Sequence, residues 1–537
     1  MGCGTCCSSC VTCCYGCRCK KQKMYQKEPT KFMERLWFVL ILLTFLVTLT
    51  NMYLWLVAQN DAQHVDTHVW SLLGFWFWYY TVLMSLSCAA FAYTAFLLIF
   101  ALLHISLGKQ LRLHIANKIG ILLSLSVSVG LIVLTILVFP FLWHFFRQSL
   151  HFTGPFLHLF GIVTLTALSW YVAGGLGTLK KRGLPVRDIG LWYFLLLAGL
   201  YIAPVFINSP CFVDYDKLPE KPLIFAHRGA EELAPENTEI AFEIALNECN
   251  VHGIETDIRI SFDGIPYVFH DNNLQRTTNV NDVFPLRHRE PSDNFTMEEL
   301  RELNAGSWFL SKNPYATVRE LSEDEKTSYR SQKIMTMKEM FSLVLRYNRT
   351  LLLDVRQPPA GHPFHHSWMN VTLANILEAG VHPDDLEYWQ SQDDEYNVVF
   401  IKTYDQREMV TLYNDVAFDD IKAYKEQNMT TNVWTVNTGW FFSLFWCAGS
   451  ASVTSSSCQR LQHIEQPYWQ LSPAHYLIVW ILFDAVSFIW VLIIFVIQIS
   501  RKHKGKRYQN EEPPERYNYR QFMALEDMNH AQNGVVL

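Results

Sequence analysis

"FAHRGAEELAPENTEIAFEIALNECNVHGIETDIRISFDGIPYVFHD", Phe225 to Asp271, sets short apolar runs against a dense set of polar side chains. "LIFAHR" reads as a β-strand ending at His227 and "TEIAFEIALNE" as an amphipathic helix. "GIETDIRI" follows as a second strand and "IPYVFH" as a third, ending at His270. Glu255 and Asp257 are two apart, so a strand points both to one face. Two carboxylates sharing a face call for a cation. Either Arg259 supplies it or a divalent metal does, and all-oxygen ligands favour Mg2+ or Ca2+ over zinc. His227 and His270 titrate near neutral pH, which suits general acid–base chemistry. Arg228, directly after His227, offers a planar, always-charged donor for a phosphate.

The rhythm continues downstream. "TLLLDVR" precedes "HSWMNVTLANILEAG", "NVVFIKT" follows, "TNVWTVN" precedes "WFFSLFWCAG", and "ASVTS" precedes "CQRLQHIEQ". Strand–helix alternation over roughly 250 residues predicts one parallel α/β barrel with its helices outside. The polar residues singled out lie at the carboxyl ends of the strands, the catalytic face of such a barrel.

The rest of the chain is apolar. It has 537 residues, 50% of them hydrophobic, and a formal net charge of -6. No basic excess points to nucleic acid. Six runs are long enough to cross a hydrocarbon core of about 30 Å. They lie near Leu36–Ala58, Thr81–Leu103, Ile119–Phe139, Pro155–Gly177, Ile189–Ile207 and Tyr476–Ile499. Basic residues mark every second loop: Lys20 to Arg35, then Lys109, Arg112 and Lys118, then Lys180 to Arg187, then Arg501 to Arg507. The positive-inside rule therefore puts both termini in the cytosol, with "FWFWYY", Phe75 to Tyr80, at the outer interface of the second span. The segment from about Asn208 to Ala474 then lies outside the cell or in a lumen. Four glycosylation sequons fall inside it, at Asn294, Asn348, Asn370 and Asn428.

Expected domains follow. Residues 1–35 form a cytosolic, Cys-rich and basic N-terminus, 36–207 five transmembrane helices, 208–475 the extracellular barrel, 476–499 a sixth transmembrane helix, and 500–537 a disordered cytosolic tail. The plasma membrane is the expected residence, and the cytosolic tails are candidate sites for partners. Eight of the thirteen cysteines crowd the first nineteen residues. With little chain between them and no nearby His, reversible acylation fits better than zinc or disulfides. Cys211, Cys249, Cys447 and Cys458 can form disulfides in any of three full pairings.

"HRG", "PENT", "ETD", "DG" and "HD", followed by "RTTN", "LNAGSWF" and "WTVN", resemble the glycerophosphodiester phosphodiesterase family over about Pro222 to Glu465. The layout of spans resembles the six-pass animal branch of that family. The resemblance implies a TIM barrel with an insertion after the third strand, here about 272–333. By similarity Glu255, Asp257 and Asp354 would bind a divalent metal, Ca2+ or Mg2+. His227 and His270 would be general acid and base, with His270 alternatively on the metal. Arg228 and Arg356 would hold the phosphate, Glu236 and Asn237 would order the loop around it, and Trp434 would line the cleft. Asp354 and Arg356 stand where the family usually has glutamate and lysine, and "VTSSS", Val453 to Ser457, replaces its usual Thr-Asp.

The implied activity is hydrolysis of glycerophosphodiesters or glycosylphosphatidylinositol-type substrates at the outer membrane face. Attack by water and attack by an internal substrate hydroxyl both remain open. An inactive barrel serving as a surface signalling protein is the alternative, against which both histidines and the paired carboxylates argue. A transporter finds little support, because few ionisable residues lie within the spans.

Overall fold

The computed structural model describes residues 15–16, 32–106, 111–180, 186–382, 386–390, 396–401, 409–413 and 416–511. Acylation of the N-terminal cysteines and partner binding by the tail beyond Glu511 concern residues outside that set. The chain divides into two compact units, 1–153 with 209–473 and 154–208 with 474–537.

Among the described residues five helices are long and apolar enough to cross a membrane: Phe32–Leu73, Tyr79–Ile105, Ile115–Val138, Leu142–Gly174 and Pro473–Arg501. Where the fifth of six spans was expected stands a shorter apolar helix, Gly190–Phe206. The first long stretch is broken: a helix over Phe32–Val57 passes through a single 3-10 turn into a second, Ala62–Leu73. In the first unit small polar side chains join the packed helices. Thr48 meets Thr94 at 2.8 Å, and Asn51 donates to Ser87 at 3.1 Å, contacts that hold apolar helices together where lipid gives no hydrophobic drive. Within the second unit Ser487 bonds both Thr166 (2.6 Å) and Tyr201 (2.7 Å).

The first unit also holds the sheet. Its strands are β1 (Leu223–His227), β2 (Gly253–Ile260), β3 (Pro266–Val268), β4 (Thr350–Arg356), β5 (Leu386–Gln390), β6 (Tyr396–Ile401), β7 (Met409–Tyr413), β8 (Thr430–Trp434) and β9 (Ser452–Ser455). They pair in the order β5-β6-β4-β2-β1-β9-β8-β7, with β3 beside β2. The six strands from β7 to β4 run parallel, as a barrel requires. The departure is at β6, which pairs antiparallel with both β4 and β5. Only residues 391–395 join β5 to β6, far short of the dozen or so a parallel crossover needs. Among the described residues the two ends of the path, β5 and β7, are not paired.

Apolar residues of the strands and of the Glu239–Asn247 and Gly439–Ala448 helices fill one core, including Phe242, Ile254, Leu353, Phe441 and Val453. The expected insertion carries short helices over its own smaller core of Leu274, Val280, Phe295 and Leu300. Two of its helices and the Met337–Val344 helix beyond it start in capping boxes, at Thr296, Ser322 and Thr336. Cys211 pairs with Cys447 and Cys249 with Cys458, which selects one of the three open pairings.

Candidate active site

Two registers assemble the site. His227, the last residue of β1, stands opposite Glu255 of β2, and Asp257 of β2 stands opposite Asp354 of β4. The period of two along a strand puts Glu255 and Asp257 on one face. All three carboxylates are buried.

Arginines close over them. Arg228 Nε lies 3.4 Å from Asp257 Oδ2, and its backbone N–H donates to Glu255 Oε2 at 3.0 Å. Arg356 Nη2 donates to Asp354 Oδ2 at 2.9 Å and lies 3.5 Å from Asp257 Oδ1. Asn237 donates to Asp257 Oδ2 at 2.9 Å and accepts from Thr256. Burial raises the Asp257 carboxyl, but His270, Arg228 and Arg356 outweigh it and hold the group well below the usual range. Glu255 goes the other way: burial, with Asp257 and Asp354 nearby, pushes it to about 8. Burial likewise lifts Asp354 to about 6.

Each histidine is gripped at Nδ1 by a carboxylate. Glu231 Oε1 lies 2.5 Å from His227 Nδ1, and Asp271 Oδ1 lies 2.6 Å from His270 Nδ1. Burial lowers His227, yet Glu231 and Glu255 together outweigh burial and Arg228, so its net shift is upward. Burial and Arg228 lower His270 to about 4. Glu231, against burial, is drawn down to about 2 by His227.

A second layer holds these groups. Glu236 takes a two-pronged bond from Arg276, both distances 2.6 Å, and a third from Arg228 at 3.0 Å. Arg276 also grips Asp271 at 2.7 and 2.9 Å. The motif "RTTN" contained Arg276, but only the fold shows that it ties two acids together. Glu231, four residues after His227, was missed as well; a carboxylate beside a catalytic His leaves no signal in spacing on a loop. Ser456, in the divergent "VTSSS", donates to Glu231.

His227, Arg228 and His270 line a cleft of about 540 Å3 together with Glu231, Asp271, Arg276, Tyr315 and Ser456. Trp434, expected in the cleft, ends β8 half-buried; its neighbour Thr435 lines the cleft instead. Further lining comes from Gln59 to Thr81, across the 3-10 turn, the Ala62–Leu73 helix and the start of the next long helix; the sequence reading gave Phe75–Tyr80 an interfacial place and the residues before them no role. Of the sequon asparagines, Asn348, Asn370 and Asn428 are exposed and Asn294 is half-buried.

The donor set fits a hard divalent cation in kind. Three buried carboxylates lie on adjacent strands, Asp354 Oδ1 has no hydrogen-bond partner, and burial raises the proton affinity of Glu255 and Asp354. Arg228 and Arg356 stand over them, and among the described residues no three His, Cys, Asp or Glu converge as a finished cage.

Residues 227–378 match the Glycerophosphoryl diester phosphodiesterase family. Human glycerophosphodiester phosphodiesterase domain-containing protein 5 is 35% identical over 94% of this chain and 86% of its own length. The chain belongs to the glycerophosphodiester phosphodiesterase family. Mouse glycerophosphoinositol inositolphosphodiesterase GDPD2 is also 35% identical, over 92% of this chain and 94% of its own. A solved Oleispira antarctica phosphodiesterase, in complex with sn-glycerol 3-phosphate, is 20% identical and covers 46% of this chain and 97% of its own, with a TM-score of 0.34. This member of the family is a phosphodiesterase hydrolase carried on a multi-pass membrane chain.

Proposed function

We infer that the chain is a metal-dependent phosphodiesterase whose barrel works on the outer face of the membrane, with glycerophosphodiesters as substrates. The observation that carries the reading is the pair of cleft-lining histidines, each held at Nδ1 by its own carboxylate, beside two arginines laid over a row of carboxylates. A phosphodiester repels nucleophiles because its oxygens are anionic, so its charge must be met before attack. Glu255, Asp257 and Asp354 would hold Ca2+ or Mg2+, which would supply that neutralisation as a Lewis acid. Arg228 and Arg356 orient the phosphate. With Nδ1 engaged, each ring has Nε2 left to exchange a proton with substrate.

The two environments divide the roles. His270, held neutral, takes the proton from the attacking hydroxyl, of water or of the substrate itself. His227, held toward its protonated form, gives one to the leaving alkoxide. Glu236 and Asn237 keep Arg228 and Asp257 in place.

The outer placement rests on alternating basic loops, two disulfides, and exposed sequon asparagines at 348, 370 and 428. The expected boundaries, with a barrel over 208–475 between membrane segments, accompany that placement, as do a plasma-membrane residence and cytosolic termini. The likeness to mouse glycerophosphoinositol inositolphosphodiesterase supports a soluble glycerophosphodiester. Attachment to the membrane supports a membrane-held substrate of the glycosylphosphatidylinositol type as the second reading. Cells expressing the native chain or His227→Ala at equal surface level separate the cases. Diesters consumed in the medium only by the native chain, and only without chelator, support the first reading. Release of anchored proteins supports the second, and equal activity of the two chains refutes both.

A further inference from the structure

The helix Ala62–Leu73 is amphipathic in a telling way. Val65 is fully buried and Val69 packs on the core, while Gln63, His64, Thr67 and Ser71 line the cleft that His227 and Arg228 line from the barrel side. Positions 63, 64, 67 and 71 follow the spacing of one helical face. Asp66 and His68 of the same helix line the cleft as well, so the helix offers it a row of hydrogen-bonding groups together with one carboxylate.

The helix is docked at both ends. Asn60, almost wholly buried, donates to Thr435 O at 3.0 Å and accepts from the backbone N–H of Asn437 at 2.8 Å. Asn437 Nδ2 returns a bond to Asn60 O at 2.9 Å. At the other end Lys312 of the barrel insertion points its ammonium over Trp70 at 4.8 Å and Trp76 at 5.8 Å, and Trp78 Nε1 donates to Asn313 O at 3.4 Å. The chain between the first two long helices thus belongs to the same compact unit as the barrel.

We propose that this inter-helix segment is the specificity wall of the phosphodiesterase cleft, reading the alcohol beyond the phosphate and favouring a neutral, polyhydroxylated one. The inference rests on the catalytic reading given above. Hydrogen bonding selects the class. Of the carboxylates on the cleft walls, Glu231 pairs with His227, Glu232 with Arg460 and Asp271 with Arg276, while Asp61 accepts from Asn60 and Thr435 and Asp66 from the backbone of Tyr80. A polyol meets amide, imidazole and hydroxyl groups that each can both give and accept hydrogen bonds, and a site built to bond hydroxyls discriminates against alcohols that lack them.

The test uses the full-length chain in lipid nanodiscs with glycerophosphoinositol and glycerophosphocholine, which share a glycerol and differ in the second alcohol, a neutral polyol in the first and a cation in the other; that second alcohol is the one the wall is proposed to read. Gln63→Ala/Thr67→Val is compared with the native chain for turnover, and in the His227→Ala background for binding by calorimetry. The proposal expects kcat/KM for the inositol diester to fall about tenfold, through KM, as two hydrogen bonds are lost. Turnover of the choline diester should fall less than that of the inositol diester, and an unchanged thermal unfolding midpoint shows the variant folded. The inositol diester should bind the His227→Ala chain more tightly than the choline diester, and the double substitution should erase that preference. An unchanged ratio between the two substrates overturns the proposal, and so does binding without an inositol preference. A fall confined to the choline diester overturns the polyol assignment. Native-level turnover by His227→Ala would instead overturn the catalytic reading, and the substrate ratio would still decide the wall.

Discussion

Glu231→Gln removes one charge and no volume. Glu231 is buried, and its carboxyl falls from 4.5 to about 2 chiefly through His227. At about 1.4 kcal/mol per unit, that displacement corresponds to roughly 3 kcal/mol favouring the ionised, paired carboxylate. Glutamine still accepts a hydrogen bond from Ser456 and can still touch Nδ1, but it cannot stabilise an imidazolium. If His227 is the general acid, losing that support should lower kcat by about a hundredfold, the equivalent of roughly 3 kcal/mol, while KM for a glycerophosphodiester stays close to native. The pH profile carries the stricter test. Glu231 is the largest influence raising His227, whereas burial and Arg228 lower it. Removing the carboxylate must move the group down. An acid that must be protonated then fails earlier as pH rises, so the alkaline limb of kcat/KM moves toward lower pH and the acid limb, set by His270, stays. Hydrolysis by the full-length chain across about pH 4 to 10 measures both limbs. Native kcat with an unmoved alkaline limb would refute the assignment of His227 as acid.

Three further outcomes follow from the same geometry. Glu255 and Asp354 have folded-state values raised to about 8 and about 6, so the stability they favour is complete below their ordinary range near 4 and is lost as pH rises through those values. In chelator the apparent Tm should therefore fall between about pH 5 and 8, and added Ca2+ or Mg2+ should flatten the fall in the native chain but not in Glu255→Gln/Asp354→Asn. Lys312→Met removes the ammonium from Trp70, Trp76 and Trp308 and from Arg276 O. It should loosen the inter-helix segment by about 1–2 kcal/mol, seen as faster proteolysis within residues 62–81. Cys249→Ser opens a bridge spanning 209 residues, which in the chain-entropy limit costs roughly 5 kcal/mol; its thermal unfolding should begin well below that of the native chain.

The fold was legible where local chemistry decides it. The runs that read as strands near Phe225, Ile254, Leu352 and Val453 are strands, because β-branched alternation bounded by polar turns says so without long-range information. Apolar length alone marked the membrane helices. What could not be read was β6 against β4: "NVVFI" has the same composition as a parallel strand, and only its five-residue link to β5 forbids a crossover. The short helix Ala62–Leu73 was lost for a related reason. Its polar stripe lay between two long apolar runs and read as a connecting loop without Lys or Arg, although Gln63, Thr67 and Ser71 already repeat at helical spacing.

The site shows the same division between residue type and partner. Sequence spacing put Glu255 and Asp257 on one face, and the structure keeps them there, but opposite neighbours pull their proton affinities apart. Asp257 has Arg228, Arg356 and Asn237 within reach, and Glu255 has one backbone N–H and a histidine. Arg228 makes that difference, and its backbone explains how. Its φ of 52° and the φ of 56° at Asn237 are left-handed values that cost energy for residues with a Cβ. The Asn237 N–H closes on Arg228 O at 2.9 Å, so the loop folds back on itself. That turn lets one residue present its backbone N–H to Glu255 and its guanidinium to both Asp257 and Glu236. A glycine at 228 would relieve the conformation and abolish the contacts, while a lysine would keep the charge and lose the fork. The strain is therefore spent on geometry that no other side chain supplies at this position, and Arg228→Lys should impair phosphate binding more than its unchanged charge suggests.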